Sequence, residues 1–247
     1  MEPRRKRTIA ITSGKGGVGK SSIVSNMAYL LSAMRKSIYI LDADLALGNI
    51  DIMLGMVPKF NIRDLISGTK SINDIIVEGP FGIRIIPATS GIAEFADLST
   101  DKKTILLSSF QEIPDYDFLL MDTSAGISSN VVYFNAISED VIVIITPDPA
   151  SLTDSYATIK VLSKATGRRD FQIIVNMVRD EKEALDIYKK ILLVTDRFLN
   201  ISLDFGGYIP VDKNVNIAVK KQKLWAETFP ETRATKALAQ ICSRLVV

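Results

Sequence analysis

The feature that most constrains this chain is a glycine-rich segment near its start, residues 14–21, which reads Gly-Lys-Gly-Gly-Val-Gly-Lys-Ser. It matches the pattern Gly-x4-Gly-Lys-Ser/Thr, in which backbone N–H groups curl around phosphate oxygens. A β-branched run at residues 8–12 precedes the segment, and residues 21–34 follow it with apolar side chains at helical spacing. This order suits phosphate binding because the helix N-terminus adds its partial positive charge to the loop. The segment therefore predicts a phosphate loop, and a glycine-rich turn without a ligand is the alternative.

The residues of this loop have separate expected roles. Lys20 is predicted to contact the β- and γ-phosphates, and the Ser21 hydroxyl to ligate magnesium. Lys15 adds a second cation near the start of the loop, and its alternative interpretation is a solvated surface lysine. The loop residues predicted to contact the nucleotide are Gly14, Lys15, Gly16, Gly17, Val18, Gly19, Lys20, Ser21 and Ser22. The expected ligands are ATP and Mg²⁺.

The composition excludes several kinds of chemistry. The 247 residues include no histidine, so imidazole acid–base catalysis and the common zinc sites are absent. Cys242 is the single cysteine, which excludes an internal disulfide and the cysteine ligands of an iron–sulfur cluster. The 30 basic and 28 acidic residues nearly cancel, so net charge creates no general attraction to nucleic acid or membranes. Catalysis must therefore rest on carboxylates, lysines and hydroxyls. The single cysteine is compatible with a reducing compartment, so we expect a cytoplasmic protein.

Apolar runs and helical stretches alternate along the chain. The expected strands lie at residues 7–13, 37–42, 83–87, 117–122, 140–146, 171–177 and 205–210. The expected helices lie at residues 19–35, 100–111, 128–137, 150–166, 181–199 and 230–245, with shorter helices within residues 43–82. This alternation predicts an α/β fold, a doubly wound and mostly parallel sheet with helices on both faces. We expect residues 1–247 to form a single P-loop domain.

Three carboxylates follow predicted strands at the edge where ligands bind in open α/β sheets. Asp42 and Asp44 end the run at residues 37–41, and Asp122 ends the run at residues 118–121. Asp122 fits the Walker B pattern, a carboxylate that holds magnesium directly or through water, and a helix cap is the alternative. Of the first two, one is expected to support the loop and the metal shell, and the other to orient the attacking water. The predicted metal ligands are Ser21, Asp42 and Asp122.

Three motifs together carry a family resemblance. Residues 15–21, the segment Asp42-Ala43-Asp44-Leu45 and residues 121–126 resemble the deviant Walker A, switch I and switch II motifs of the MinD/ParA ATPases. Residues 44–51 and 147–156 look most like the FlhG/FleN group of that superfamily, regulators of flagellar number and placement. The likeness spans nearly the whole chain. It implies an ATP hydrolase that regulates a cellular structure, flagella above all.

The resemblance implies a homodimer that holds two ATP molecules between its subunits. In such a dimer the residue matching Lys15 crosses to the partner's phosphates, Asp44 positions the hydrolytic water, and Asp122 belongs to the metal shell. The implied catalytic residues are therefore Lys15, Lys20 and Asp44. A lysine entering from another subunit adds positive charge as an arginine finger does, so hydrolysis would depend on dimerisation.

The resemblance also implies where the base binds. Asn176 reads the adenine, and residues 209–212 close over it. The base-side residues assigned in this way are Asn176, Ile209, Pro210 and Asp212.

Partners and rival functions follow from the same likeness. The expected partners are the GTPase FlhF or flagellar basal-body proteins. One alternative is a ParA-type partitioning ATPase that binds DNA non-specifically through the basic residues 4–7 and 220–223, and another is a MinD-type division-site regulator. Residues 235–247 are expected to form the last helix of the domain, with no separate membrane-targeting helix. Any peripheral location at the inner membrane would then depend on a partner.

Overall fold

A computed structural model describes residues 6–89 and 91–246, in which one eight-stranded sheet forms the centre of the molecule. The strands are β1 (Arg7–Ser13), β2 (Ile38–Ala43), β3 (Val77–Glu78), β4 (Arg84–Ile86), β5 (Phe118–Ala125), β6 (Asp140–Ile145), β7 (Asp170–Val178) and β8 (Ser202–Pro210). Their order across the sheet is β3-β4-β2-β5-β1-β6-β7-β8. All neighbouring strands are parallel except β3, which is antiparallel to β4.

The α-helices of the described residues connect these strands. They are α1 (Lys20–Ala33), α2 (Ile50–Met53), α3 (Ile62–Ile66), α4 (Ile72–Ile75), α5 (Thr100–Gln111), α6 (Ser129–Ile137), α7 (Pro149–Thr166), α8 (Glu181–Phe198), α9 (Lys213–Lys220), α10 (Trp225–Thr228) and α11 (Arg233–Val246). Among the described residues, none of these helices has the length and apolar character needed to cross a membrane.

Helices cover both faces of the sheet because successive strand residues point to opposite sides. Ile9 and Ile11 of β1 pack with the inner faces of α1 and α11, whereas Ala10 packs on the other side with α6, α7 and α8. Tyr39 and Leu41 of β2 lie on that second side, under α3, α4 and α5. The predicted doubly wound α/β fold is confirmed.

Several short or half-exposed elements of the structure were not predicted from the sequence, or were predicted with other bounds. The two-residue strand β3 and the helices α9 and α10 were not predicted, since each is too short to show a periodic pattern. β8 begins at Ser202 rather than at residue 205, because its first half alternates exposed and buried residues as an edge strand does. β5 continues to Ala125 rather than ending at residue 122. Short helices do occupy residues 43–82, as predicted.

The two ends of the described chain meet beside β6. The Arg7 guanidinium donates to Asp140 Oδ2 from Nε at 3.1 Å and from Nη2 at 2.7 Å, and Nη1 donates to the Leu245 carbonyl at 2.6 Å. That carbonyl lies in the last turn of α11, where a cation is favourable. Leu238, Ile241 and Leu245 of α11 are buried in the core, and Ala237 is half-buried. Arg4, Arg5 and Val247, which belong to predicted segments, lie outside the described residues.

Replacing Arg7 with methionine should lower the free energy of unfolding by about 1–2 kcal/mol, because it removes three charge-assisted hydrogen bonds and keeps an apolar stem. Urea unfolding followed by circular dichroism measures this. Lys6→Met is the matched control, since the Lys6–Asp115 pair is largely exposed and should contribute less than about 1 kcal/mol. Equal effects of the two substitutions would contradict the assigned role of Arg7.

Candidate functional site

The glycine-rich loop joins the end of β1 to the start of α1. Gly17 and Gly19 have φ values of 79° and 87°, a left-handed conformation that side chains with a Cβ adopt with strain. Gly19 is the N-cap of α1, so the loop feeds directly into the helix N-terminus. Residues 15–22 line a cavity of about 300 Å³ together with Asp44 and Ala125, and Gly14 is not part of that lining. The glycine-rich segment thus forms an open cradle at the carboxyl edge of the sheet.

The loop is pressed against α7. A Cβ built on Gly14 would lie 2.2 Å from the carbonyl carbon of Asp154, so only glycine permits this approach. By contrast, a Cβ on Gly16 would have no neighbour within 4 Å. α7 begins beside the loop because Asp148 caps it, accepting a hydrogen bond from the Ser151 N–H at 2.9 Å. The position of the loop is therefore set by a helix from the middle of the chain.

Lys20 forms a buried ion pair with Asp122. The Nζ–Oδ1 distance is 2.7 Å, and the two side chains are 9% and 2% exposed. The two residues meet because Asp122 lies in β5, next to β1 in the sheet, while Lys20 opens α1 directly above. An ammonium and a carboxylate in this environment compensate each other, and removal of either would leave a buried charge. Phosphate oxygens entering the cradle would compete with Asp122 for Lys20.

Asp42 lies beside Asp122 in the sheet and is also buried. Its Oδ2 accepts hydrogen bonds from the N–H groups of Asn49 at 2.8 Å and Ile50 at 3.0 Å, so it anchors the start of α2. Its Oδ1 is buried and has no hydrogen-bond partner. Burial, reinforced by the negative charge of Asp122, raises the pKa of Asp42 to about 8. In the nucleotide-free protein at neutral pH this carboxyl group is therefore mostly protonated.

Asp44 follows β2 and lines the phosphate cavity, half-buried. Partial burial raises the pKa of Asp44, and the Lys20 ammonium acts in the opposite direction. Asp44 therefore faces the space that a nucleotide phosphate would occupy, as its predicted role in orienting water requires.

The donor set fits magnesium held jointly with phosphate. Within the described residues, no three carboxylates converge into a cluster that could hold a metal without other ligands. Mg²⁺ usually takes one or two carboxylates plus water and substrate phosphates, so such a cluster is not required. Ser21 lines the cavity, whereas Asp42 and Asp122 are each 2% exposed and do not belong to its lining. Asp122 is linked to the cavity through its ion pair with Lys20, and Asp42 Oδ1 is buried without a hydrogen-bond partner. The metal-binding roles of Ser21, Asp42 and Asp122 stay predictions.

Lys15 lies at the mouth of the cavity and pairs with a residue that sequence reasoning missed. Its Nζ is 3.0 Å from Asp148 Oδ1, and the side chain is 44% exposed. Hydrogen bonds from Thr146, Lys15 and the Ser151 N–H lower the pKa of Asp148 to about 2. An exposed pair of this kind holds its lysine weakly and is screened by salt. The signal for Asp148 was present as an aspartate before a proline, the signature of a helix start.

The predicted base-side residues are divided between the loop and the core. Asn176 is buried, and its Nδ2 donates to the Val18 carbonyl at 2.8 Å, so it braces the phosphate loop. Ile209 and Pro210 are buried at the end of β8, while the Asp212 carboxylate caps α9 by accepting from Asn214 N–H. Asn176 therefore contacts the phosphate loop directly. Ile209 pairs with Asn176 across the neighbouring strands β7 and β8, so residues 209–212 lie next to it in the sheet.

Further residues complete the walls. Met53 of α2 and Val219 of α9 line the phosphate cavity, and Met177 lines a second cavity of about 350 Å³ between the loop and Asp148. Gly126, after β5, donates its N–H to the Ser13 carbonyl at 2.9 Å. Sequence patterns could not identify Met53 and Val219, because nothing local marks an apolar side chain that reaches a distant loop.

Comparison with known proteins agrees with this geometry. Residues 6–173 match a family model described as an AAA domain. The chain is 38% identical over 240 residues to the antiactivator FleN of Pseudomonas aeruginosa, an alignment that covers 97% of this chain and 86% of that protein. It is 33% identical to the flagellum site-determining protein YlxH of Helicobacter pylori, covering 96% of this chain and 81% of that protein. The septum site-determining protein MinD of Pyrococcus horikoshii, solved with Mg-ADP, has the same fold, with a TM-score of 0.77, 22% identity and coverage of 98% of this chain and 96% of that chain.

The raised pKa of Asp42 predicts a pH dependence of stability in the nucleotide-free protein. The folded state binds the proton more tightly than the unfolded state, so this contribution is complete below about pH 4 and is lost as the pH rises towards about 8. Between pH 6 and 9 the free energy of unfolding should fall, by at most about 1.4 kcal/mol per pH unit. Urea titrations at several pH values measure the slope.

Asp42→Asn should flatten that slope, because the amide does not titrate and can still accept from the N–H groups of Asn49 and Ile50. Asp74→Asn is the control: a hydrogen bond from the Ser71 N–H lowers the pKa of Asp74, so it stays charged throughout this range. The Asp74 variant should keep the wild-type slope. A slope unchanged by Asp42→Asn would show that another group is responsible.

Proposed function

The chain belongs to the MinD/ParA-type P-loop ATPases and, within them, to the FleN/FlhG group, and we propose that it is an ATP-driven dimerising switch that regulates flagellar number or placement. Within this family it is an ATPase, and nucleotide with Mg²⁺ is the ligand that the family binds. The observation that carries the proposal is Lys15, an exposed second lysine at the mouth of the phosphate cavity.

The charges of the cavity support a dimer. Phosphoryl transfer requires positive charge around the transferring group. The lining of the cavity contains Lys15 and Lys20 and no arginine among the described residues. Lys20 already compensates Asp122, and Lys15 is directed to Asp148 at the rim. A second copy that brings its own Lys15 over the cavity would supply the missing cation, and hydrolysis would then require both subunits.

An apolar rim at the same edge of the sheet supports this arrangement. We use the term apolar rim for six exposed side chains that follow or end elements at the carboxyl edge: Leu47, Ile52, Ile127, Met177, Val211 and Val219. Leu47 and Ile127 lie just after β2 and β5, the strands that carry Asp42 and Asp122. Exposed apolar surface around a charged cavity is typical of an interface, and a two-fold dimer would bury it on both copies.

The proposed reaction assigns the site residues as follows. Bound Mg²⁺ supplies Lewis-acid stabilisation of the phosphate charge, with Ser21 as ligand and Asp42 and Asp122 in its surroundings. The Lys20 ammonium leaves its ion pair with Asp122 and binds the phosphates instead. Asp44 orients the attacking water. Asn176 and the segment from Ile209 to Asp212 bind the base.

The wider assignments are also proposals. We propose that residues 1–247 act as one ATPase domain, supported by a sheet that runs through the described chain and by the Arg7–Leu245 contact. We infer a cytoplasmic location, peripheral at the inner membrane through a partner. FlhF or basal-body proteins are the proposed partners, and the relatives named for flagella support that choice over DNA or the division site.

Lys15→Ala should abolish ATP-dependent dimerisation and lower turnover by about a hundredfold or more, because the cation that crosses the interface is lost. Analytical ultracentrifugation with ATP, with ADP and without nucleotide measures the first effect, and phosphate release the second. Asp44→Ala should remain dimeric in ATP and turn over slowly. Lys189→Ala, an exposed lysine on α8, is the control and should behave as wild type. Normal dimerisation and turnover of Lys15→Ala would refute the switch.

The flagellar role is tested in the organism that encodes the chain. Chromosomal replacement with Lys15→Ala should change the number or position of flagella, counted by electron microscopy, whereas Lys189→Ala should leave the wild-type pattern. Unchanged flagella in a strain whose variant fails to dimerise would refute the flagellar role and leave the ATPase switch intact. The proteins retained by the Asp44→Ala dimer would then distinguish DNA and division-site functions.

A further inference from the structure

Trp225, the only tryptophan of the chain, contacts the start of the helix that follows the phosphate loop. Its side chain is 2% exposed, and its indole Nε1 donates a hydrogen bond of 3.1 Å to Ser22 Oγ. Ser22 belongs to the first turn of α1 and lines the phosphate cavity. A side chain 203 positions away in the sequence therefore touches the phosphate site.

Asn26 makes a second link between the same two segments. Its Nδ2 donates to the Ser22 carbonyl at 2.7 Å, and its Oδ1 accepts from the Ala226 N–H at 2.8 Å. The Asn26 side chain is 1% exposed, so both of its polar groups are satisfied in a dry environment. Trp225 and Ala226 are adjacent: Trp225 donates to the Ser22 hydroxyl directly, and Ala226 donates to Asn26, which in turn donates to the Ser22 carbonyl. The segment that holds Trp225 is therefore joined to the first turn of α1 at two points.

The hydrogen bond from Trp225 has a consequence for the Ser22 hydroxyl. A hydroxyl has one proton to donate and two lone pairs that accept. Because Oγ accepts from the indole N–H, its own proton must point elsewhere, and no acceptor for it occurs among residues 6–89 and 91–246. The space beside Ser22 is the phosphate cavity. A phosphate oxygen in that cavity would complete the bond.

We propose that Trp225 is a positioning residue for phosphate binding: its indole N–H holds Ser22 Oγ so that the hydroxyl proton is presented to a phosphate oxygen of the bound nucleotide. This inference rests on the proposed nucleotide site. Trp225 itself does not reach the cavity and acts through Ser22. Its helix, α10, follows α9, whose Val219 also lines the cavity.

A double-mutant cycle on the full chain tests the inference. Binding of ADP with Mg²⁺ is measured by calorimetry for wild type, Trp225→Phe, Ser22→Ala and the double variant. Trp225→Phe keeps an aromatic ring and removes the N–H donor together with part of the buried ring system, so affinity should fall about three- to tenfold. In the Ser22→Ala background the same substitution should have no further effect, because no hydroxyl remains to be positioned. Effects that multiply, or an unchanged affinity of Trp225→Phe, would overturn the inference.

Tyr188→Phe provides a matched control for lost stability. Tyr188 also donates one hydrogen bond from a partly buried ring, to the Leu203 carbonyl, far from the phosphate loop. The Tyr188→Phe variant should bind ADP as wild type does. If Tyr188→Phe and Trp225→Phe lost the same ADP affinity, Trp225 would have a general structural role only. Inorganic pyrophosphate, measured in competition with ADP, should lose affinity by the same factor in Trp225→Phe. A loss confined to ADP would place the effect at the base and overturn the inference.

If Trp225→Phe does not fold, the native tryptophan provides the readout. Saturating ADP should shift the emission of Trp225 in the wild type, and Ser22→Ala should remove most of that shift. Equal shifts in both proteins would overturn the inference. A wild-type protein that binds no ADP would refute the proposed function itself, which separates the two failures.

Discussion

The buried ion pair between Lys20 and Asp122 is the interaction on which the rest of the site depends. It joins the first turn of α1 to β5 beneath the phosphate loop, and it keeps one negative charge in the core neutralised. Breaking a buried pair by removal of one partner commonly costs about 3–5 kcal/mol, because an uncompensated charge remains. Asp42 lies beside this pair, and its pKa is raised first by burial and then by the negative charge of Asp122.

The phosphate loop is held by contacts from three elements in the second half of the chain, α7, β7 and α10. Gly14 lies against the backbone of α7, Asn176 at the end of β7 donates to the Val18 carbonyl, and Trp225 donates to Ser22. These contacts preorganise the loop before any ligand arrives, which reduces the entropy that binding must overcome. The contacts lie at the two ends of the loop, whereas Gly16 and Gly17 between them are exposed and have no neighbour within 4 Å of a Cβ position.

Local patterns predicted the parts of the site that are local. The loop itself, the strands that deliver Asp42 and Asp122, and the doubly wound sheet all follow from glycine spacing and continuous apolar runs. The partners of the charged residues were not predictable in this way. Lys20 meets Asp122 across 102 positions and Lys15 meets Asp148 across 133, separations at which a single sequence contains no pairing signal. The role of Trp225 could not be predicted because its partner Ser22 is also distant in the sequence. In addition, α10 is only four residues long and shows no periodic pattern.

The two lysines of the loop differ in the environment that holds them, and this difference explains how binding and assembly can be separate steps. Lys20 is buried, and its exchange from Asp122 to a phosphate replaces one compensated charge with another, so it requires only the nucleotide. Lys15 is exposed, and its pair with Asp148 is weak enough to break. Within one subunit, moving Lys15 from Asp148 to a phosphate would stabilise the complex little, because Lys20 already occupies the cavity. In a dimer the free energy gained would be larger, because Lys15 would meet the phosphate of the facing subunit and the apolar rim would exclude water from that contact. In the proposed dimer, nucleotide binding would therefore be a property of one chain, whereas use of Lys15 would be a property of two.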